Sequence, residues 1–368
     1  MKILFLANAA SVHTVRWVNA LADKNHEVHL VYKYDDEPTE NIISENVLLH
    51  RLKSAGTKGY FINAHELKQL FRTIKPDIVN AHYASGYGTL ARLAKLKPLV
   101  LSVWGSDVYD FPYQSRIKMR LVVSNILYAD KIASTSHSMA EQVKRLKRLE
   151  NCRINVTPFG VDLNKFSPRE TIKSNSDICI GNIKSLAPKY GIDDLIKSIR
   201  ILIDNLINKK LKDISEKIKV NIYGDGDQKN ELIDLIKDLN LESVVYLKGV
   251  IPNNKVPKAL AELDIFCVSS VLDSESFGVA AVEAMSMELP VVATNVSGFK
   301  EVVDDNVTGI IVERKNPLAL ANALERLVLD EELRIKMGTQ GRNRVMELYD
   351  WDKNVDTMVS VYEKCLLK

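Results

Sequence analysis

Two hydrophobic rhythms alternate along the chain. Short, largely unbroken apolar runs occur at residues 3–7, 28–31, 47–52, 78–82, 99–104, 131–135 and 155–158. Runs of this length predict strands buried on both faces. Between them the apolar positions spread to helical spacing, as at 14–23 and 66–74. The alternation pauses over 165–176, a polar stretch that contains Pro168, which is the best place for a linker. It then resumes with apolar runs at 178–183, 220–223, 244–247, 265–268, 291–293 and 309–312.

Strand–helix alternation in both halves predicts an α/β chain with parallel sheets and helical crossovers. The expected architecture is two doubly wound, Rossmann-like domains, at 1–165 and 177–348 with 166–176 between them, facing each other across a cleft. Ligands of such sheets bind at the carboxyl ends of the strands, so a cleft of this kind has room for two substrates. A long helix is expected at 331–348. After it, 349–368 should form a terminal helix, with Val355, Met358, Val359, Tyr362 and Leu366 at helical spacing, able to pack back toward the first domain.

Composition narrows the class. Of the 368 residues 46% are hydrophobic and 26% charged, as in an ordinary globular protein. No stretch approaches the roughly 18 apolar residues of a membrane span. The opening Met1-Lys2 leads into a run too short for a secretory signal, which reads as a first strand. Cys152, Cys179, Cys267 and Cys365 lack C-x-x-C spacing, which argues against a disulfide framework or a zinc site and suits a reducing cytoplasm. The net charge is only +3, yet residues 1–165 carry 23 Lys+Arg against 15 Asp+Glu. The first half therefore faces something anionic.

The most informative stretch is Ser274-Glu275-Ser276-Phe277-Gly278-Val279-Ala280-Ala281-Val282-Glu283-Ala284-Met285. It follows an apolar strand and a short loop, and its Ala- and Val-rich part predicts a buried helix over 277–287. Free backbone N–H groups at Phe277, Gly278 and Val279 would then form an anion site suited to a diphosphate. Glu275 would reach a sugar beyond that phosphate. Glu283, about 12 Å further along the helix, would meet a ribose. A second reading stands beside this one: a capping Glu275 and a salt-bridged Glu283 on a purely structural helix.

Together with Leu289-Pro290-Val291-Val292-Ala293-Thr294-Asn295-Val296-Ser297-Gly298 and Asn306-Val307-Thr308-Gly309, these residues resemble glycosyltransferase family 4. Its signature is two glutamates with seven residues between them, in retaining enzymes of GT-B fold. Ala81-His82-Tyr83, Trp104-Gly105-Ser106-Asp107, Pro158-Phe159-Gly160-Val161-Asp162 and Tyr223-Gly224-Asp225-Gly226 resemble further landmarks in the right order. The resemblance implies that Glu275 contacts donor-sugar hydroxyls and Glu283 the ribose. Phe277, Gly278 and Val279 would line the sugar–phosphate region. It also implies transfer with retention, without a metal or other cofactor. UDP is the donor nucleotide most frequent in the family.

Three departures matter. Asn8-Ala9-Ala10-Ser11-Val12-His13 replaces the Gly-rich loop that many relatives have after the first strand. The loop lacks the glycines that would admit phosphate to the backbone there, and Ser11 and His13 become acceptor-side candidates. The cations of the first loop of the second domain stand one position away from the family's when Gly191 is aligned. A departing diphosphate still calls for preorganised positive charge, a role assigned to Lys184 and Lys189. Trp104 stands where many relatives have histidine, and Asp107 either positions the acceptor or caps its own loop. His137 opens a helix after the strand at 131–135, as a site residue or as an ordinary helix start.

Other signals lose weight in context. Asp225-Gly226-Asp227 resembles a metal-binding Asp-x-Asp but follows a strand and reads as a turn. Lys229 occupies the last glycine position of a G-x-G-x-x-G fingerprint, so the dinucleotide motif fails. A nucleic-acid role lacks a reading motif. Residues 114–153 hold nine Lys+Arg against three acids, with Ile117, Met119, Leu121, Val122, Ile126 and Leu127 interleaved. That segment is either an interface for anionic lipid or a solvated basic face. The resulting expectation is a hexosyl- or N-acetylhexosaminyltransferase acting on a glycan or lipid-linked acceptor in polysaccharide synthesis. It would be cytoplasmic, at the inner face of the plasma membrane. A nucleotide-sugar epimerase and a non-catalytic nucleotide-sugar-binding protein are the rival readings.

Overall fold

A computed structural model describes residues 1–39, 42–168 and 177–367. The expected linker therefore lies largely outside the described residues, from 169 to 176. The chain forms two compact units, one of Met1–Pro158 with Asp352–Lys368, the other of Phe159–Trp351. The sequence reading set the division at 165. In the structure residues from Phe159 onward belong with the second unit, because Val161 N–H donates to the Tyr349 carbonyl (2.8 Å) and Trp351 N–H to the Val161 carbonyl (3.1 Å). The helix Trp351–Leu366 joins the first unit from its second residue, where Lys24 pairs with Asp356 at 2.6 Å.

The first unit is built on seven parallel strands: β1 Lys2–Leu6, β2 Glu27–Tyr32, β3 Val47–Arg51, β4 Ile78–His82, β5 Leu99–Val103, β6 Lys131–Ser134 and β7 Ile154–Val156. Their order is β3-β2-β1-β4-β5-β6-β7. The direction of winding reverses between β1 and β4. Strands β4 and β5 are buried along their whole length, with Asn80, His82 and Ser102 among the buried positions, which is why they read as largely apolar runs.

The second unit has six parallel strands: β8 Ile178–Ile183, β9 Ile218–Tyr223, β10 Val245–Gly249, β11 Ile265–Val268, β12 Val291–Thr294 and β13 Gly309–Val312. Their order is β10-β9-β8-β11-β12-β13, and winding reverses between β8 and β11. One apolar face of this sheet packs on the helix Ile192–Asn208, whose Ile192, Leu195, Ile196, Ile199 and Leu202 are fully buried. Both sheets are doubly wound, and the loops at each reversal are where such folds receive ligands.

The helix Arg116–Tyr128 sorts the apolar residues of the basic segment. Val122 and Ile126 are buried in the core of the first unit, and Met119 packs against it. Ile117 remains 78% exposed and Leu127 46%. Only part of the interleaved apolar surface therefore faces outward. No helix of the described residues is long and apolar enough to cross a membrane.

Candidate functional site

At the reversal point of the second sheet, Lys184 follows β8 and Glu275 lies in the loop after β11. Their side chains meet, Lys184 Nζ donating to Glu275 Oε2 at 2.8 Å. Both are largely buried, at 16% and 13% exposure. Burial alone would lower the lysine pKa. The adjacent Glu275 carboxylate outweighs it by charge and hydrogen bond, with smaller help from Tyr190 and Glu283, so the ammonium is held above its ordinary value. Lys184 also lies 5.0 Å from the centroid of the Tyr190 ring, and Lys189 approaches the same ring at 4.7 Å. The two lysines thus share one aromatic support.

Glycines bring these loops together. Gly224 and Gly226 have positive φ, and a Cβ on either would strike the backbone of Lys184 or Leu186. The Leu186 N–H accordingly reaches the Asp225 carbonyl at 3.0 Å. Gly191, at φ 58°, permits a similar approach to the Ser269 carbonyl. Val271 N–H donates to the Lys189 carbonyl (2.9 Å) and the Ser269 hydroxyl to that of Tyr190 (2.9 Å). The loops after β8 and β11 are therefore one unit of structure.

The glutamate loop has its own anchors, which the sequence reading did not single out. Asp273 accepts from the backbone (2.9 Å) and hydroxyl (2.8 Å) of Ser297 and from Arg314 (3.2 Å). Burial works against its ionisation, yet these donors hold the carboxyl below its usual value. Gly298 presses directly on the backbone of Glu275, Ser276 and Phe277. None of these residues has a spacing that would announce it; their roles come from β12 running beside β11.

The helix that follows starts later than expected. It spans Val279–Ser286, with Gly278 as its N-cap at φ 88°. Phe277 is 4% exposed and sits edge-on to Phe159 and Tyr349, at 5.9 and 5.4 Å. It is a packing residue outside the helix. The turn that offers N–H groups is consequently Gly278, Val279 and Ala280 rather than Phe277 to Val279. A side chain at Gly278 would meet the Phe299 ring at 2.7 Å. Glu275 and Glu283 do not lie on one helix as expected, because only the part from Val279 onward is helical. Glu283 is near enough for its charge to act on Lys184.

Buried polar atoms without a protein partner gather at the same end of the sheet. Asn182 Oδ1, Ser270 Oγ and Gln228 Oε1 are of this kind, and they belong to residues at or after the ends of β8, β11 and β9. Such atoms are costly unless a ligand or water satisfies them. The arrangement can thus bind a polar anion, with two cations, an open helix turn and a carboxylate for hydroxyl groups. Among the described residues no group of three or more His, Cys, Asp or Glu side chains is arranged to hold a metal ion.

In the first unit the corresponding reversal point is aromatic. The Trp104 ring lies 3.9 Å from His82, 5.4 Å from Tyr83 and 5.8 Å from His13, centre to centre. Ser11 is the N-cap of the helix Val12–Asp23, without a side-chain capping bond. The loop that replaces the Gly-rich turn is closed by Asn8, whose side chain accepts from Ala10 N–H (2.8 Å) and donates to Asp36 (3.2 Å). Asp36 in turn accepts from the Tyr87 hydroxyl at 2.6 Å.

Asp107 is 1% exposed, and its carboxylate accepts backbone N–H groups of Ala84 (2.7 Å), Trp104 (3.1 Å) and Gly105 (2.9 Å). This corrects its placement among catalytic residues: it holds the turn that carries Trp104 and the left-handed Tyr83, at φ 66°. His137 is exposed at the first position of the helix His137–Lys144, which Ser136 caps. It follows β6, the strand next to β5.

Two family models match the chain: Glycosyl transferase 4-like over residues 2–136 and Glycosyl transferases group 1 over residues 164–344. An uncharacterised glycosyltransferase of Methanocaldococcus jannaschii is 28% identical, over 96% of this chain and 94% of its own. The capsular polysaccharide biosynthesis glycosyltransferase CapM of Staphylococcus aureus is 26% identical, over 95% and 93%. The structure of Anabaena HepE in complex with UDP-glucose matches with a TM-score of 0.80 at 17% identity, covering 99% of this chain and 100% of that one. With two doubly wound units and both halves matched, the chain belongs to the group 1 glycosyltransferases and has their GT-B fold.

Proposed function

We propose that the chain transfers a hexosyl or N-acetylhexosaminyl group, with retention of configuration, from a UDP-sugar to a glycan or lipid-linked hydroxyl in cell-surface polysaccharide synthesis. The observation that carries this is the Lys184–Glu275 pair at the β8/β11 reversal point, beside the open first turn of Val279–Ser286. The second unit binds the donor. Lys184, Lys189 and the N–H groups at Gly278 to Ala280 hold the diphosphate, Glu275 the sugar hydroxyls and Glu283 the ribose. The acceptor binds the first unit near Ser11, His13 and Trp104. The UDP-glucose complex of HepE supports the choice of donor, and CapM supports the pathway class.

In the transfer the acceptor oxygen bonds to the sugar C1 while the bond from C1 to the phosphate oxygen breaks, its electron pair leaving with UDP. The hydroxyl proton passes to the departing phosphate. Positive side chains supply the charge stabilisation, so activity should survive chelation by EDTA. The basic face at 114–153 attaches the enzyme peripherally to an anionic membrane at its cytoplasmic side. A thermal-shift screen of UDP-, GDP- and ADP-sugars, followed by NMR of the product anomer, tests the reading. Stabilisation by GDP- or ADP-sugars alone would overturn the donor assignment, and an inverted anomer the stereochemistry. No observation favours the epimerase or the non-catalytic reading.

A further inference from the structure

The first unit carries a groove that the transfer site does not use. Its volume is about 560 Å³, and Arg92, Lys95, Ser124, Leu127, Tyr128 and Arg148 line it. Three cations and no carboxylate face this space. The Arg92 guanidinium is oriented by the Asn125 side-chain oxygen at 2.6 Å, and among the described residues none of the three cations is ion-paired. The neighbouring acid, Asp130, is already taken by Lys97 at 3.0 Å. Glu150 accepts from the backbone N–H of Arg148 at 3.0 Å without pairing with its guanidinium, so the three side-chain charges of the groove have no direct counter-ion among the described residues.

Three exposed apolar side chains, Tyr113, Ile117 and Leu127, stand on the side of the first unit that carries this groove. Ile117, Arg120, Ser124 and Leu127 recur at helical spacing on the solvent side of Arg116–Tyr128, with Tyr113 exposed just before it. A free inorganic anion would need no exposed apolar side chains beside it, and a neutral apolar ligand would need no triad of cations. Together they match an amphiphile with a phosphate head.

We propose that the groove seats the headgroup phosphate of an anionic glycerophospholipid, while Tyr113, Ile117 and Leu127 enter the interfacial layer. The inference rests on the membrane reading above and deepens it. It replaces a diffuse basic face with a defined lipid seat, two of whose cations, Arg92 and Lys95, lie outside the segment singled out by charge count.

Lys95 and Arg148 both have left-handed backbones, at φ 58° and 78°. Asparagine tolerates that conformation better than most residues, so Lys95→Asn/Arg148→Asn removes charge without backbone strain. Wild-type protein should float with phosphatidylcholine vesicles that contain phosphatidylglycerol, and not with phosphatidylcholine alone. The double variant should bind the anionic vesicles about thirtyfold more weakly, at roughly fivefold per cation, with an unchanged melting temperature. Arg145→Asn/Lys147→Asn, equal in charge and outside the groove, should lose far less. Monomeric dihexanoyl-phosphatidylglycerol should bind wild type saturably, and more tightly than inorganic phosphate does. Equal losses in both double variants would overturn the seat but leave membrane attachment standing. Wild type with no preference for anionic vesicles would overturn both. Phosphate binding as tightly as the short lipid would reassign the groove to a free anion.

Discussion

Replacing Lys184 with alanine separates two roles that one ammonium plays. In the resting structure it neutralises Glu275 at 2.8 Å, with both side chains largely buried. Breaking a buried pair from one side costs about 3–5 kcal/mol when no water reaches the charge left behind. Glu275 keeps 13% of its side-chain exposure, so roughly 1–3 kcal/mol is the better expectation. The second role is on the reaction. Loss of one preorganised group that stabilises developing charge costs about 2.7–4 kcal/mol, or about 100- to 1000-fold in kcat.

The two costs are distinguished by a second variant. Lys184→Ala/Glu275→Gln removes the stranded carboxylate charge, so its melting temperature should recover most of what Lys184→Ala loses. Turnover should not recover, because the diphosphate still lacks its cation and the sugar hydroxyls their carboxylate. Calorimetric melting and UDP release with the donor found by screening are the measurements. The signature is a fall in kcat larger than the change in donor KM, since the charge acts mainly on the departing phosphate. If turnover in the double variant returned together with stability, Lys184 would be a counter-ion to Glu275 and nothing more. The assignment of this pair to the donor site would then be lost.

Three further tests address the supports of the site. Gly298→Ala places a methyl group 2.6 Å from the Ser276 carbonyl carbon, a clash with backbone that costs about 1–3 kcal/mol; turnover should fall more than about tenfold as the Glu275 loop shifts, and normal kcat would count against it. The lowered pKa of Asp273 means its contribution to stability is complete above the ordinary carboxyl value of 3.8 and fades as pH falls through the lowered one. Wild type should therefore lose its melting-temperature advantage over Asp273→Asn only in acid, and a constant difference down to the lowest pH reached would refute the linkage. Asp107→Asn leaves one oxygen to serve three backbone N–H groups, a loss of about 1–3 kcal/mol that thermal unfolding should report at neutral pH. Donor hydrolysis by the variant should persist, since the Asp107 carboxylate is occupied by the three backbone groups of its own turn.

The strands were the most legible part because both sheets are parallel and covered on two faces, so their interiors appear as continuous apolar runs. Strand ends were less so. Lys2 and Glu27 begin β1 and β2 because backbone pairing, not hydropathy, sets where a strand starts. The helix start near Phe277 misled for a similar reason. Phe277 is apolar because it packs on Phe159 and Tyr349, and the left-handed turn at Gly278 interrupts a pattern that periodicity alone would continue. Asp107 shows the limit of residue type: an aspartate after a glycine fits a site or a cap equally, and only burial with three backbone donors decides.

The Lys184–Glu275 pair marks where sequence order stops and topology begins. The two residues are 91 positions apart, with β9 and β10 between them in the chain. They meet because the sheet grows first to one side of β8 and then to the other, which makes β11 its neighbour. Neither residue has a local spacing that would link it to the other. The glycines at 191, 224 and 298 then close the distance by admitting backbone where any side chain would collide. A site built this way depends on the packing of loops over a reversal point. Substitutions at those glycines should therefore act on the chemistry as well as on stability, although none of them carries a charge.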